Sequence, residues 1–169
     1  MSTIKVDTVQ DSAGVYTKQQ VVQVVSAEDA ITASGTTTLP NDDTIPQNTE
    51  GDEYMTLAIT PKSTSNILVI EAMLHIGHGT TNDRITVALF QDSTADALSC
   101  LTQRNHNNSY TDTCRFIHKM TAGTTSATTF KFRAGGSIGT LYFNRDSAGR
   151  KYGGTMISSI TITEYQPSS

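Results

Sequence analysis

The chain has 169 residues, of which 36% are hydrophobic and only 17% charged, with a formal net charge of −4. That length holds one domain plus an arm and buries a sizeable core without disulfide or metal staples. The acidic balance, with no Lys/Arg cluster, excludes nucleic-acid binding through phosphate neutralisation, and no apolar run approaches the roughly 20 residues that span a bilayer.

A soluble, all-β protein is expected. Charged residues fall below the about 25% usual in globular domains, and 28 threonines help fill the gap. Threonine is β-branched and favours strands. Runs of Ala, Glu, Lys and Leu that would build helices are missing.

In chain order, "MSTIKVDTVQDSAGVY" opens the sequence with apolar Ile4, Val6 and Val9 among polar residues. Lys5 and Asp7 interrupt it, so it lacks the unbroken apolar stretch of a secretory signal. Asp11 to Gly14 read as a turn. A short half-apolar strand of this kind cannot bury itself, so residues 1–19 are expected as an arm that docks on a partner. "QQVVQVVSA" is a short strand. Residues 28–50, polar and with two prolines, are expected as a linker or surface excursion, making 20–50 a linker with a short strand. Within it, "ITASGTTTLP" is a candidate irregular edge.

From residue 51 to 169 the alternation sharpens into a β-sandwich domain. "EYMTLAIT" sets Met55, Leu57 and Ile59 on one face and Tyr54, Thr56 and Ala58 on the other. "NILVIEAMLHI" puts Leu68, Ile70, Ala72, Leu74 and Ile76 on one face. Its other face carries Ile67, Val69 and Met73, so it is expected to be central or to meet another subunit through those three residues. "RITVALF" follows, with Ile85, Val87 and Leu89 inward. "ALSCL", "TCRFIHKM", "TTFKFR", "GTLYFN" and "TMISSITITEY" complete eight strands, separated by turns such as "GHGTTND" and "RDSAG". Eight antiparallel strands in two sheets match a jelly-roll-like sandwich.

Chemistry is sparse. His75 and His78 in "HIGH" look like a metal pair, but residues i and i+3 of a strand point to opposite faces. Cys100 and Cys114 flank the loop "TQRNHNNSYTD". If the strands beside it pair as a hairpin, the two thiols face each other and a disulfide is feasible; otherwise they are buried reduced thiols acting as small hydrophobes. "GGSIG" precedes a strand rather than a helix, so it reads as a tight turn, not a phosphate loop. No nucleophile elbow, zinc-protease helix or carboxylate pair stands out. No catalytic residue, metal ligand or cofactor is assigned, and no enzymatic activity is expected. The polar loop 102–110 offers Arg104, His106 and Tyr110 as candidate receptor contacts, since recognition residues sit on loops held by a rigid scaffold.

The opening "MSTIKVDTVQDSAG" resembles the start of tail-fibre and related appendage proteins of tailed bacteriophages, notably marine and cyanobacterial ones. "LAITPKSTSNILVIEAMLHIG" and "GGTMISSITITEY" are similar to strands in the C-terminal domains of such fibres. Together these stretches cover about a third of the chain. The resemblance implies a virion structural protein, partnered by other virion proteins and assembled as a homotrimer; a host glycan or surface protein, met through the tip loops, is the alternative partner. It implies an arm on the particle, an outward β-domain and no catalytic residues. With only about thirty residues between arm and domain, it implies a short fibre, spike, adaptor or capsid decoration.

Overall fold

The computed structural model describes residues 9–11, 14–16 and 19–167; Ile4 and Val6 lie outside them. The strands are β1 (Val9–Asp11), β2 (Gly14–Tyr16), β3 (Val21–Asp29), β4 (Ala33–Gly35), β5 (Asp52–Ile59), β6 (Ile67–His78), β7 (Arg84–Gln91) and β8 (Ser99–Arg104). They continue with β9 (Thr111–Thr121), β10 (Thr128–Gly135), β11 (Leu141–Phe143), β12 (Arg145–Asp146), β13 (Gly149–Arg150) and β14 (Ser158–Tyr165).

Four pairings organise the sandwich, and they nest. β7 pairs with β8, β6 with β9, β5 with β10 and β3 with β14, all antiparallel. The chain is therefore a long antiparallel ribbon, rolled so that β5-β10-β7-β8 form one sheet. The other sheet is built on β3-β14-β6, with β9 on the far edge of β6. This winding is a jelly roll. β11 extends the larger sheet beside the end of β6, and β4 pairs onto β11.

The core is what alternation dictates. Leu68, Ile70, Ala72, Leu74 and Ile76 of β6 face Ile85, Val87 and Leu89 of β7 and Phe130 and Phe132 of β10 in one buried cluster. β6 is flanked on both edges, as its apolar character requires. Its opposite face, carrying Ile67, Val69 and Met73, is partly exposed.

The structure refines three expectations. Residues 20–50, expected as a linker or surface excursion with a short strand, pack on the sandwich. β3 pairs along the whole of β14, and Leu39 is buried against Ala88 and Phe90. β7 is apolar on both faces, so its outer face needs a cover, and the 36–50 segment supplies it. Asn48 fastens that segment by donating from Nδ2 to the carbonyls of Ser93 (3.2 Å) and Thr94 (3.1 Å). Second, Tyr54 does not share the exposed face of Thr56. The β5–β10 register slips between Phe132 and Arg133, so Tyr54 is the extra residue of a bulge. Its ring stacks on Phe143 with centroids 5.1 Å apart, and burial pushes the phenol pKa up, with Asp52 adding to the shift.

Third, β8 and β9 do not form a hairpin. They belong to opposite sheets, and both cysteines are free: Cys100 is exposed and Cys114 is buried. Burial, with a contribution from Asp112, pushes the Cys114 thiol up to about 12. It behaves as a small core hydrophobe.

Candidate functional site

The connections 79–83, 105–110 and 136–140 meet at one end of the sandwich, tied together by buried polar groups. His78, the last residue of β6, is fully buried. Its Nδ1 accepts the N–H of Thr80 at 2.9 Å, which leaves the ring proton on Nε2. Nε2 lies 3.1 Å from Asp83 Oδ2. Asp83 also accepts from the Ser137 hydroxyl and from the Ile138 N–H at 3.2 Å. Burial pushes the Asp83 carboxyl up, but these donors, the Arg84 N–H and His78 together bring it below its ordinary 3.8.

A Cβ on Gly136 would run into the His78 imidazole, so glycine at this position lets the chain leaving β10 pass the buried ring. Gly139, at φ +77°, sits in the left-handed region that glycine adopts readily. "GGSIG" is thus a turn fitted around His78. The carboxylate stands between the hydroxyl and the imidazole, so Ser137 has no base beside it. The arrangement ties loops and does not activate a nucleophile.

Asn105 completes the tie. It is fully buried, and its Nδ2 donates to the carbonyl of Thr80 at 2.9 Å. Its backbone N–H reaches Asp83 O, and its carbonyl accepts from the Asn82 N–H, both at 2.8 Å. Ser147 joins from the β12–β13 hairpin by donating to Asn108 O at 2.6 Å.

On this scaffold Arg104, His106 and Tyr110 are all exposed. Arg104 ends β8, while His106 and Tyr110 lie on the 105–110 connection; Tyr110 is 67% exposed. His75 and His78 point away from each other: His75 faces outward, with Nδ1 3.1 Å from the Thr113 hydroxyl. Among the described residues no group of three His, Cys, Asp or Glu side chains is placed to hold a metal ion.

One feature of this end was not legible from the linear pattern. Arg84, the first residue of β7, lies directly opposite Arg104 in the β7–β8 register. The two arginines, with Asn82, Thr102 and Gln103, line an open depression on the outer face. Alternation places Arg84 outward, but only the strand register brings it beside Arg104.

No family model and no curated protein sequence matches the chain. Among solved structures it is similar to a sugar-binding protein, the EclA C-terminal domain, at 17% identity over 79% of this chain and 83% of that one, with a TM-score of 0.37. A structure described as "CBM4 structure and function" is 17% identical over 76% of each chain, with a TM-score of 0.35. The protein of infectious bursal virus derived T=1 particles is 11% identical over 100% of this chain, which spans 41% of the viral chain, with a TM-score of 0.39.

Proposed function

We propose that the chain is a non-enzymatic structural protein of a phage particle, a short tail-fibre, spike or appendage component that docks through its N-terminal arm. The observation that carries this reading is the separateness of the arm. β1 and β2 pair only with each other among the described strands, with Asp11 opposite Gly14 where a turn was expected. The jelly roll is complete without them. A short apolar strand outside a closed sandwich is suited to adding onto a partner's sheet edge. The likeness of "MSTIKVDTVQDSAG" to phage appendage proteins supports the same reading.

Deleting residues 1–19 tests it, with Ile4, Val6 and Val9 as the docking residues. The truncated chain is expected to melt within a degree or two of the full chain, since it keeps every core residue among those described, but to be missing from assembled particles. Normal incorporation of the truncated chain would refute the docking role.

A homotrimer is proposed on the outer face of the larger sheet. Met73, 38% exposed, lies between Arg115 and Ser159. Val69 lies between Lys119 and Thr163, and Ile67 between Thr121 and Tyr165. Ile117, beside Glu71, adds 65% of its surface to this face. Light scattering is expected to give about three times 18.2 kDa, and Met73→Asp with Val69→Asp to reduce it to one. A monomeric parent chain rules the trimer out.

A second reading, a receptor-binding module, draws on the exposed Arg104, His106 and Tyr110 around a rigidly tied loop end. Such a module and an appendage are compatible in one chain.

A further inference from the structure

We propose that Arg84 and Arg104 form an anion site that takes the carboxylate or sulfate group of an acidic saccharide. The proposal rests on the receptor-binding reading and extends it to a ligand class.

The register carries the argument. Arg84 and Arg104 are directly opposite each other at the end of the β7–β8 ladder, and both are exposed. Directly opposed residues have Cβ atoms about 4.5–5.5 Å apart, and like charges there repel. One arginine on edge strand β8 is explained as a guard against strand addition. A second one facing it is not, because it opposes the first. Among the described residues neither guanidinium has a carboxylate within ion-pair distance. The repulsion is relieved when an anion bridges the pair, and the planar fork of arginine matches carboxylate and sulfate oxygens.

The surroundings select a saccharide over a bare anion. Arg84 donates from Nη1 to Asn41 Oδ1, which orients the guanidinium; among the described residues its other donors have no side-chain partner. Thr86 donates to the Thr102 hydroxyl at 3.2 Å, so the Thr102 O–H is free to donate elsewhere. Asn82 and Gln103 add amide donors and acceptors around the same depression. Amides and hydroxyls beside an anion clamp are what vicinal sugar hydroxyls need. The lining holds two positive charges and no negative one, on a chain whose net charge is −4.

The test is an array of sialylated, uronic-acid, sulfated and neutral glycans probed with the full chain, followed by titration of the strongest acidic glycan. Binding to acidic glycans is expected, weakened about tenfold or more in Arg84→Gln and in Arg104→Gln and reduced by added salt. Arg104→Lys keeps the charge but loses the fork, so it is expected between the parent and Arg104→Gln. Without glycan, Arg104→Gln is expected to melt no lower than the parent, because the opposed charges are gone; this separates lost binding from lost fold. Acidic glycans held equally by parent and variants, or binding to neutral glycans alone, would overturn the site while leaving the receptor-binding reading standing. Binding to no glycan would overturn the saccharide site, and failure of the full chain to bind host cells as well would overturn the receptor-binding reading. Inorganic sulfate that competes as well as the saccharide, mole for mole, would overturn the saccharide assignment.

Discussion

Truncating Phe132 to alanine is expected to destabilise the sandwich by about 3–5 kcal/mol. Phe132 is fully buried on β10, which lies between β5 and β7 in the smaller sheet. Its ring meets Phe116 of β9, in the opposite sheet, edge to face with centroids 5.1 Å apart. The pair therefore bridges the two layers, where facing sheets stand about 10 Å apart. The strands around the ring are held by ladders on both edges of β10, so the walls cannot close over the vacated volume. Against a total stability of about 5–15 kcal/mol, this single change consumes a large share of the margin. Phe132→Leu keeps much of the volume but loses the edge-to-face contact, worth about 0.5–1.5 kcal/mol, and is expected between the two. Urea denaturation measures both, with the midpoint shifting and the slope unchanged. A loss below about 1 kcal/mol for Phe132→Ala would mean that the layers do collapse onto the gap.

The second large effect is expected at Glu164, a carboxylate fully buried on β14. Its Oε1 accepts from Asn66 Nδ2 at 2.6 Å and from the Lys62 N–H at 2.8 Å. Its Oε2 accepts from Gln23 Nε2 at 2.5 Å. This one side chain joins β3, β14 and the turn before β6. Glu164→Ala leaves the buried Asn66 amide and the Lys62 N–H without their acceptor, at about 1–3 kcal/mol for each group. A net loss of about 2–4 kcal/mol near neutral pH is expected.

The effect carries a pH signature. Burial alone would raise the Glu164 carboxyl, but the Asn66, Gln23, Lys62 and Ser63 donors outweigh it and hold it below its ordinary 4.5. A depressed carboxyl contributes stability that is fully present above 4.5 and is lost as pH falls through the folded value. The melting-temperature gap between parent and Glu164→Ala is therefore expected to narrow below 4.5. His75 and His118, both lowered by burial from 6.5, start an acid loss at higher pH, but both proteins share it and it cancels in the difference. A gap that stays constant across the acid range would remove the carboxylate from this account.

Much of the fold is legible in the linear pattern because a period of two states which face each residue takes. The inward residues of β6 and β7 follow from alternation alone, and β4 does pair as an edge within the expected "ITASGTTTLP" segment. Alternation says nothing about which strand lies beside which. Whether Cys100 and Cys114 face each other stayed open for that reason; the strands beside them lie in opposite sheets and both thiols are free. The Arg84–Arg104 pair stayed hidden for the same reason. The bulge at Tyr54 breaks the period locally, so no periodic template assigns its face. Leu39 is a single apolar residue in a polar stretch, and its burial follows from the two-faced β7 rather than from its own neighbours.

The nesting of the four pairings orders how the molecule can be made. The β7–β8 hairpin closes over a short connection, whereas Val21 pairs with Tyr165 across nearly the whole chain. Closing a longer loop costs more chain entropy and comes later unless inner contacts have shortened it. Assembly can thus proceed outward from the middle of the chain: β7–β8, then β6–β9, β5–β10 and finally β3–β14. During synthesis β3 leaves the ribosome well before the strand that will cover it. Val21, Val22 and Val24 keep an open backbone edge until β14 arrives, which makes the interval before the last strand the period in which the nascent chain most needs protection from pairing with its neighbours.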